Sequence, residues 1–261
     1  MRERKSHDFT DEGKSMGSRE EKTKEFNNIG IDSKLDWDRI KKLLTIGLMA
    51  SCLVFVGDML LGYGTSDKGL SGIERMLSSY VKLSDTRIFW SSILGILGIP
   101  LEGLCYFGIY RLMAETAPGH AHIYRSGIFG YLIFGGCGVH MPCLAAVYFY
   151  KYMLAADPDT ALKASVRFGE FFLLPGMILF FIFFCILSFS QISAFAKKMT
   201  PYPRWCWIFS LPVGMVITLP LNMTGDSAMA NGVSAAWISI GNIWMFGGLL
   251  FMMKRVRRKV R

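Results

Sequence analysis

Hydrophobic residues in this chain fall into six long blocks, at about residues 43–63, 88–110, 127–152, 170–195, 205–222 and 235–253. Each comes close to the ~20 residues that carry an α-helix across ~30 Å of hydrocarbon at 1.5 Å per residue. A soluble domain spreads its apolar residues in short periodic runs, whereas here they are concentrated in long, nearly uncharged blocks. That is the pattern of helices surrounded by lipid, not of amphipathic helices folded over a water-exposed core. Strands are excluded as crossings, since their edges would leave backbone groups unpaired in hydrocarbon. The sequence therefore predicts an all-α integral membrane bundle of six transmembrane helices over residues 37–253. The fifth block is the shortest, and Pro212 and Pro220 interrupt it.

Two connecting stretches carry a pattern of their own. Residues 71–83 place Ile73, Met76, Leu77, Tyr80 and Val81 on one helical face and Glu74, Ser78 and Lys82 on the other, which predicts a helix lying on a membrane surface. Residues 158–168 open with Asp157-Pro158, a helix-start signal, and predict a second such helix. Residues 1–36 are polar and charged throughout and predict a disordered cytoplasmic tail. Trp37, Arg39, Lys41 and Lys42 follow as an interfacial anchor. Tyr202, Trp205 and Trp207, and separately Tyr148, Tyr150 and Tyr152, read as aromatic belts.

Composition changes this picture only in detail. The net charge of +9 suggests nucleic acid until it is located. Residues 1–42 hold eleven basic and ten acidic side chains, whereas residues 254–261 hold six basic ones and no acid. A basic run at the exit of a hydrophobic segment anchors a cytoplasmic end against anionic lipid, and no nucleic-acid partner is expected. With both ends inside, Arg111, Arg125, Lys197, Lys198 and Arg204 also fall on the cytoplasmic side, and the outer 223–234 loop has no Lys or Arg. The outer loops at 64–87 and 152–169 carry several cations and run against the rule. Cys52, Cys105, Cys137, Cys143, Cys185 and Cys206 lie in or beside apolar blocks with no CxxC pair, so no structural disulfide is expected.

The candidate chemistry lies in polar residues that are costly where they sit. Asp58, Glu102, His140 and Asn242 fall inside spans one, two, three and six. A charged residue at mid-helix costs roughly 2.5–3.5 kcal/mol on insertion scales, so these should face the bundle interior and find partners. Helical rise puts Asp58, His140 and Asn242 in one layer with Glu102 below it. Ser51 lies seven residues before Asp58 on the same face. Gly95 and Gly98 give span two a smooth stripe before Glu102, and a glycine-rich run leads to His140 with Pro142 just after it. A buried carboxylate beside an imidazole supplies the parts for proton handling, or for acid–base work on a lipid-soluble substrate. The plainer alternative is that these residues bond helices together and set their register. His120 and His122 lie in a cytoplasmic loop and make an incomplete metal set; neither a metal nor a cofactor is expected. Hydrolase, phosphate-loop and metalloprotease motifs are absent from the sequence. Asn222-Met223-Thr224 matches a glycosylation acceptor but abuts the bilayer, so modification is not expected.

GDMLLGYG at the end of span one, GGCGVHMPC in span three, TPYPRW before span five and GNIW in span six together resemble a family of bacterial membrane proteins known as a domain of unknown function. The resemblance covers most of residues 43–253. It implies a multi-pass protein of a bacterial inner (cell) membrane and draws attention to Asp58, His140, Arg204 and Asn242, without implying an activity. Three functions stay open: a small transporter or binder of a proton, ion or amphiphile; a non-catalytic membrane partner; and, third, an intramembrane enzyme acting on lipid or isoprenoid.

Overall fold

The computed structural model describes residues 35–222 and 227–260. Almost all of the expected N-terminal tail, Met223 and Thr224 of the acceptor triplet, and Arg261 of the basic end lie outside them. The described residues are α-helical with short π and 3₁₀ turns and contain no strand.

Helix α1 (Trp37–Gly62) starts where the Asp36 carboxylate accepts the Arg39 backbone N–H at 2.9 Å. At its other end the Arg87 guanidinium donates to the carbonyls of Leu60 and Tyr63, which the helix leaves unpaired. The surface helix expected at 71–83 forms as α2 (Gly72–Val81). Helix α3 (Asp85–Cys105) continues through Tyr106 into α4 (Phe107–Ala114), and together they form a 30-residue rod.

The third and fourth spans run longer than the sequence suggests. Helix α5 (Pro118–Phe134), a π turn (Gly135–His140) and α6 (Met141–Ala156) form one 39-residue helix. Helix α7 (Pro158–Phe168), a second π turn (Gly169–Leu173) and α8 (Leu174–Ala196) form another of 39 residues. At 1.5 Å per residue each is about 58 Å long. Two expectations change as a result. The stretch 158–168 is helical but runs into the fourth span, because the chain passes Gly169 and Pro175 by widening one turn into a π turn instead of ending the helix. His120 and His122 belong to α5, since Pro118 fits the first turn of a helix and starts it early.

Both π turns have one cause. The residue before a proline donates its N–H to a glycine carbonyl five positions back: Met141 to Gly136 before Pro142, and Leu174 to Gly169 before Pro175. Proline has no N–H and crowds the carbonyl four residues earlier, so the preceding turn widens by one residue. The two bends face each other. A Cβ on Gly176 would overlap the Gly138 carbonyl, so only glycine permits this backbone approach.

The fifth block does not form one helix. The chain makes a 3₁₀ turn (Arg204–Ile208), α9 (Leu211–Val216) and α10 (Leu219–Asn222). Pro212 and Pro220 sit at the second residue of α9 and α10, where they favour helix starts and preclude continuation from the segment before. Side chains from neighbouring helices satisfy the backbone groups that the breaks release. Gln191 Nε2 donates to the Phe209 carbonyl at 3.0 Å and Trp244 Nε1 to the Ile208 carbonyl at 2.7 Å. Helix α11 (Ala228–Ala235) then meets α12 (Trp237–Val260) at a 65° bend.

Helix α1 packs against α3 and α12, α5 packs against α8, and α9 against α12. Helix α12 runs antiparallel to α1. Asn231, just before α12, donates to Gly64 beyond the end of α1, and Arg257 near the end of α12 pairs with Asp38 in the first turn of α1. Large apolar side chains face outward along the rods, among them Met49, Leu53, Leu97, Phe129, Ile182 and Phe251, an exposed surface suited to contact with lipid. Four helices are long and apolar enough to cross a membrane, and the bent α11–α12 pair brings the number to five if it counts as one span. All six cysteines are free thiols. Of the aromatic belts, Trp205, Trp207, Tyr148 and Tyr152 are exposed, whereas Tyr150 and Tyr202 are buried, Tyr202 donating to the Leu249 carbonyl.

Gln191→Leu should lower stability by about 1–3 kcal/mol, because the buried Phe209 carbonyl loses its donor. Thermal unfolding of the detergent-solubilised protein measures this, and an unchanged midpoint would show that the broken segment does not depend on Gln191.

Candidate functional site

Two polar clusters lie inside the helix bundle, and the same four rods build both. The first centres on Glu102, fully buried on α3. Its Oε2 accepts from the Tyr131 hydroxyl of α5 at 2.8 Å. The Tyr131 oxygen in turn accepts from Asn242 Nδ2 of α12 at 3.1 Å. Asn242 Oδ1 accepts from the Tyr106 hydroxyl at 2.5 Å. The donors run in one direction, Tyr106 to Asn242 to Tyr131 to Glu102, and end on the carboxyl group. Its second oxygen, Oε1, is buried and has no hydrogen-bond partner. Ser51 of α1 lies beside Glu102 but donates its own proton to the Gly47 carbonyl at 2.8 Å. Tyr106 stacks on Phe246 and meets Tyr124 and Tyr131 edge-on, so the tyrosines that carry the chain are held in aromatic packing.

The second cluster lies two helical turns along α1 from Ser51. Asp58 Oδ2 accepts from Ser239 Oγ of α12 at 2.5 Å, and Oδ1 lies 4.0 Å from His140 Nδ1. His140 Nε2 sits 3.2 Å from the Ser91 carbonyl of α3. A carbonyl only accepts, so Nε2 carries the hydrogen and the neutral ring turns the Nδ1 lone pair toward Asp58. A single exchangeable proton therefore suits the facing pair, on either the carboxyl or Nδ1. Two local features bring the histidine there. The π turn adds a residue just before it and so changes the direction in which the side chain leaves the helix, and Gly95 on α3 leaves room for its ring, which a Cβ at that position would overlap.

Of the residues the sequence marked, Asp58 and His140 face one another. Glu102 and Asn242 belong together through Tyr131, with Ser51 alongside. Asn242 was expected in a layer with Asp58 and His140; it joins Glu102 instead, and Ser239, one turn before it on α12, takes the place beside Asp58. Arg204 is exposed at the start of the 3₁₀ turn and belongs to neither cluster. Ser239, Tyr131 and Tyr106 were not singled out. Two of them carried a readable signal: Tyr106 follows Glu102 by four residues and Ser239 precedes Asn242 by three, so each shares a helix face with a marked residue. His120 Nε2 lies 3.1 Å from Ser193 Oγ, and the described residues contain no group of three or more His, Cys, Asp or Glu that could hold a metal.

An all-α protein with four to five helices able to cross a membrane and paired polar clusters buried among them is the class this architecture defines. Residues 26–256 match DUF6796, a family of unknown function, and the chain belongs to that family. No curated protein and no solved structure matches the chain.

If the Tyr106–Asn242–Tyr131–Glu102 chain acts as one network, Tyr106→Phe and Asn242→Leu should couple by roughly 0.6–1.7 kcal/mol in a double-mutant cycle of unfolding free energies. Strictly additive costs would break the network into unrelated contacts.

Proposed function

We propose that the chain is a six-span membrane protein with both ends in the cytoplasm, and that its interior clusters bind and pass a proton, a small cation or the polar end of an amphiphile. The transmembrane domain then covers residues 37–253, with the tail of 1–36 before it and the basic 254–261 after it. Eight buried side-chain polar atoms lack a partner among the described residues, and the observation that carries the reading is that one of them, Glu102 Oε1, is a carboxyl oxygen at the end of a directed chain of donors. A carboxyl group serving only as glue between helices gains nothing from an oxygen left without a partner in a low-dielectric interior. One open acceptor, on a carboxyl group with Ser51 beside it, suits a site whose occupant comes and goes.

The sixth crossing is supported by where the chain ends meet. Lys198, after α8, lines a pocket with Arg255 near the end of α12, while Asn231 lies at the opposite end of α1. The intervening residues 204–222 must cover that distance, and they do so as short helices whose released carbonyls are bonded by Gln191 and Trp244. Broken helices are tolerated at membrane depth under this condition, and in transporters they commonly lie near the transport path. The basic Lys254–Arg258 turn, Lys197 and Lys198 all gather at one end and support a cytoplasmic assignment for it.

Proteoliposomes containing a pH-sensitive dye test the proton form of this proposal. After an imposed pH step, the wild type should equilibrate faster than protein-free vesicles, and Asp58→Asn and Glu102→Gln should return the rate to that of protein-free vesicles while still inserting. Glu115→Gln, at an exposed position, should leave it unchanged. Equal flux in Glu102→Gln and wild type would remove Glu102 from the path. If the wild type equilibrates no faster than empty vesicles, the proton is excluded, and native mass spectrometry of the same proteins then reports on a retained amphiphile.

A further inference from the structure

At the end of the bundle where α1 begins and α12 ends lies a pocket of about 690 Å³. Its charged lining is Lys198, Arg204 and Arg255, and its apolar lining includes Pro201, Met252 and Val256. Among the described residues no carboxylate pairs with any of these three cations, and Asp38 at the same end is engaged by Arg257 at 2.9 Å. Three cations that line one concavity, none with a carboxylate partner among the described residues, make it a favourable place for an anion. The guanidinium groups of Arg204 and Arg255 bring the planar donor geometry that phosphate oxygens accept, and Lys198 adds a point charge.

A second observation points the same way. Lys198 has φ of 58°, the one non-glycine residue with positive φ among those described. It closes α8 in the position that usually belongs to glycine: its N–H donates to the Phe195 carbonyl, and the next N–H, from Met199, reaches back to Ala194. Glycine would adopt this backbone without a steric cost. A lysine there bears that cost and lines the pocket.

We propose that Lys198, Arg204 and Arg255 bind the phosphate of an anionic membrane phospholipid, with the lipid's glycerol and upper acyl carbons against Pro201, Met252 and Val256. A free phosphate ion would satisfy the cations equally well, but it would leave the apolar wall uncovered. The proposal rests on the membrane reading above. It places this end of the bundle at the depth of the headgroups, where Trp205 and Trp207 are exposed beside the pocket.

The test titrates the full-length protein in detergent with phosphatidylglycerol and, separately, with phosphatidylcholine of the same acyl chains, read by native mass spectrometry. Inorganic phosphate is titrated in a third arm. Phosphatidylglycerol should bind more tightly than phosphatidylcholine, and the Arg204→Gln/Arg255→Gln double variant should weaken it roughly tenfold or more. Lys198→Gly should weaken it while leaving thermal stability equal or higher, a combination that a merely structural lysine would not produce. Lys163→Gln/Arg167→Gln removes the same charge from α7, about 50 Å away along the fourth rod, and should bind like wild type. Unchanged binding in the Arg204/Arg255 variant, or an equal loss in the α7 variant, overturns the pocket. Submillimolar binding of inorganic phosphate without any lipid preference overturns the lipid assignment. Failure of the membrane reading shows up separately, as release of the protein from native membranes by alkaline carbonate.

Discussion

A backbone or side-chain polar group taken out of water must find its partner inside the protein, and the unusual features of this structure trace to that requirement. Two prolines at 142 and 175 each remove a donor from a long helix, and the turn before each widens until a glycine carbonyl five residues back takes the bond. Breaks over residues 204–222 release carbonyls that Gln191 and Trp244 bond from neighbouring helices. Arg87 closes the end of α1 in the same way. With the backbone satisfied by such local means, the helices can bend and break without losing their packing. Side chains are matched less completely: eight buried side-chain polar atoms among the described residues lack a partner, and Glu102 Oε1 is the one carboxyl oxygen among them.

The π turn links backbone to site. An extra residue in one turn rotates everything after it relative to everything before it, so Tyr131 and His140, nine residues apart with the turn between them, both reach the interior from one rod. Tyr131 serves the Glu102 cluster and His140 the Asp58 cluster. Ser51 and Asp58 on α1, Glu102 and Ser91 on α3, and Asn242 and Ser239 on α12 repeat the arrangement. Each rod thus contributes to both clusters, and a shift of one rod along its axis would disturb both together.

The membrane-helix character was legible because it depends on long uncharged blocks, which lie in sequence order. Asp58, Glu102, His140 and Asn242 were legible because each is costly at its position whatever its neighbours turn out to be. What was not legible was pairing. Asn242 was placed with Asp58 and His140 by counting residues along ideal helices, and that count misses the register change at Gly135–His140 and the reach of a tyrosine. Tyr131 spans the gap between Glu102 and Asn242, yet in sequence it is one more aromatic in an apolar run. The long fourth rod was hidden for a related reason: 158–168 read as a surface helix separate from the span at 170–195, whereas Arg167 and Glu170, on either side of that boundary, pair at 3.0 Å on one continuous helix.

The same distinction between cost and pairing orders the functional readings. A structural pair is complete when both partners are matched, as Lys151 and Asp85 are through one another and through Leu83 and Tyr152 at the far end of α6. The two interior clusters are incomplete by that measure. Asp58 and His140 stand 4.0 Å apart with an acceptor facing an acceptor, too far for a direct hydrogen bond, and Glu102 has an oxygen with nothing on it. Both gaps are of the kind that a proton-bearing guest closes, and both lie among the same four rods. Unpartnered buried hydroxyls, those of Ser188 and Tyr124 among them, show that an open polar atom alone does not mark a site; what sets the two clusters apart is that each open position belongs to a carboxyl group or to the imidazole facing one, and these are the groups that the proposed uptake and release of a small polar guest would use.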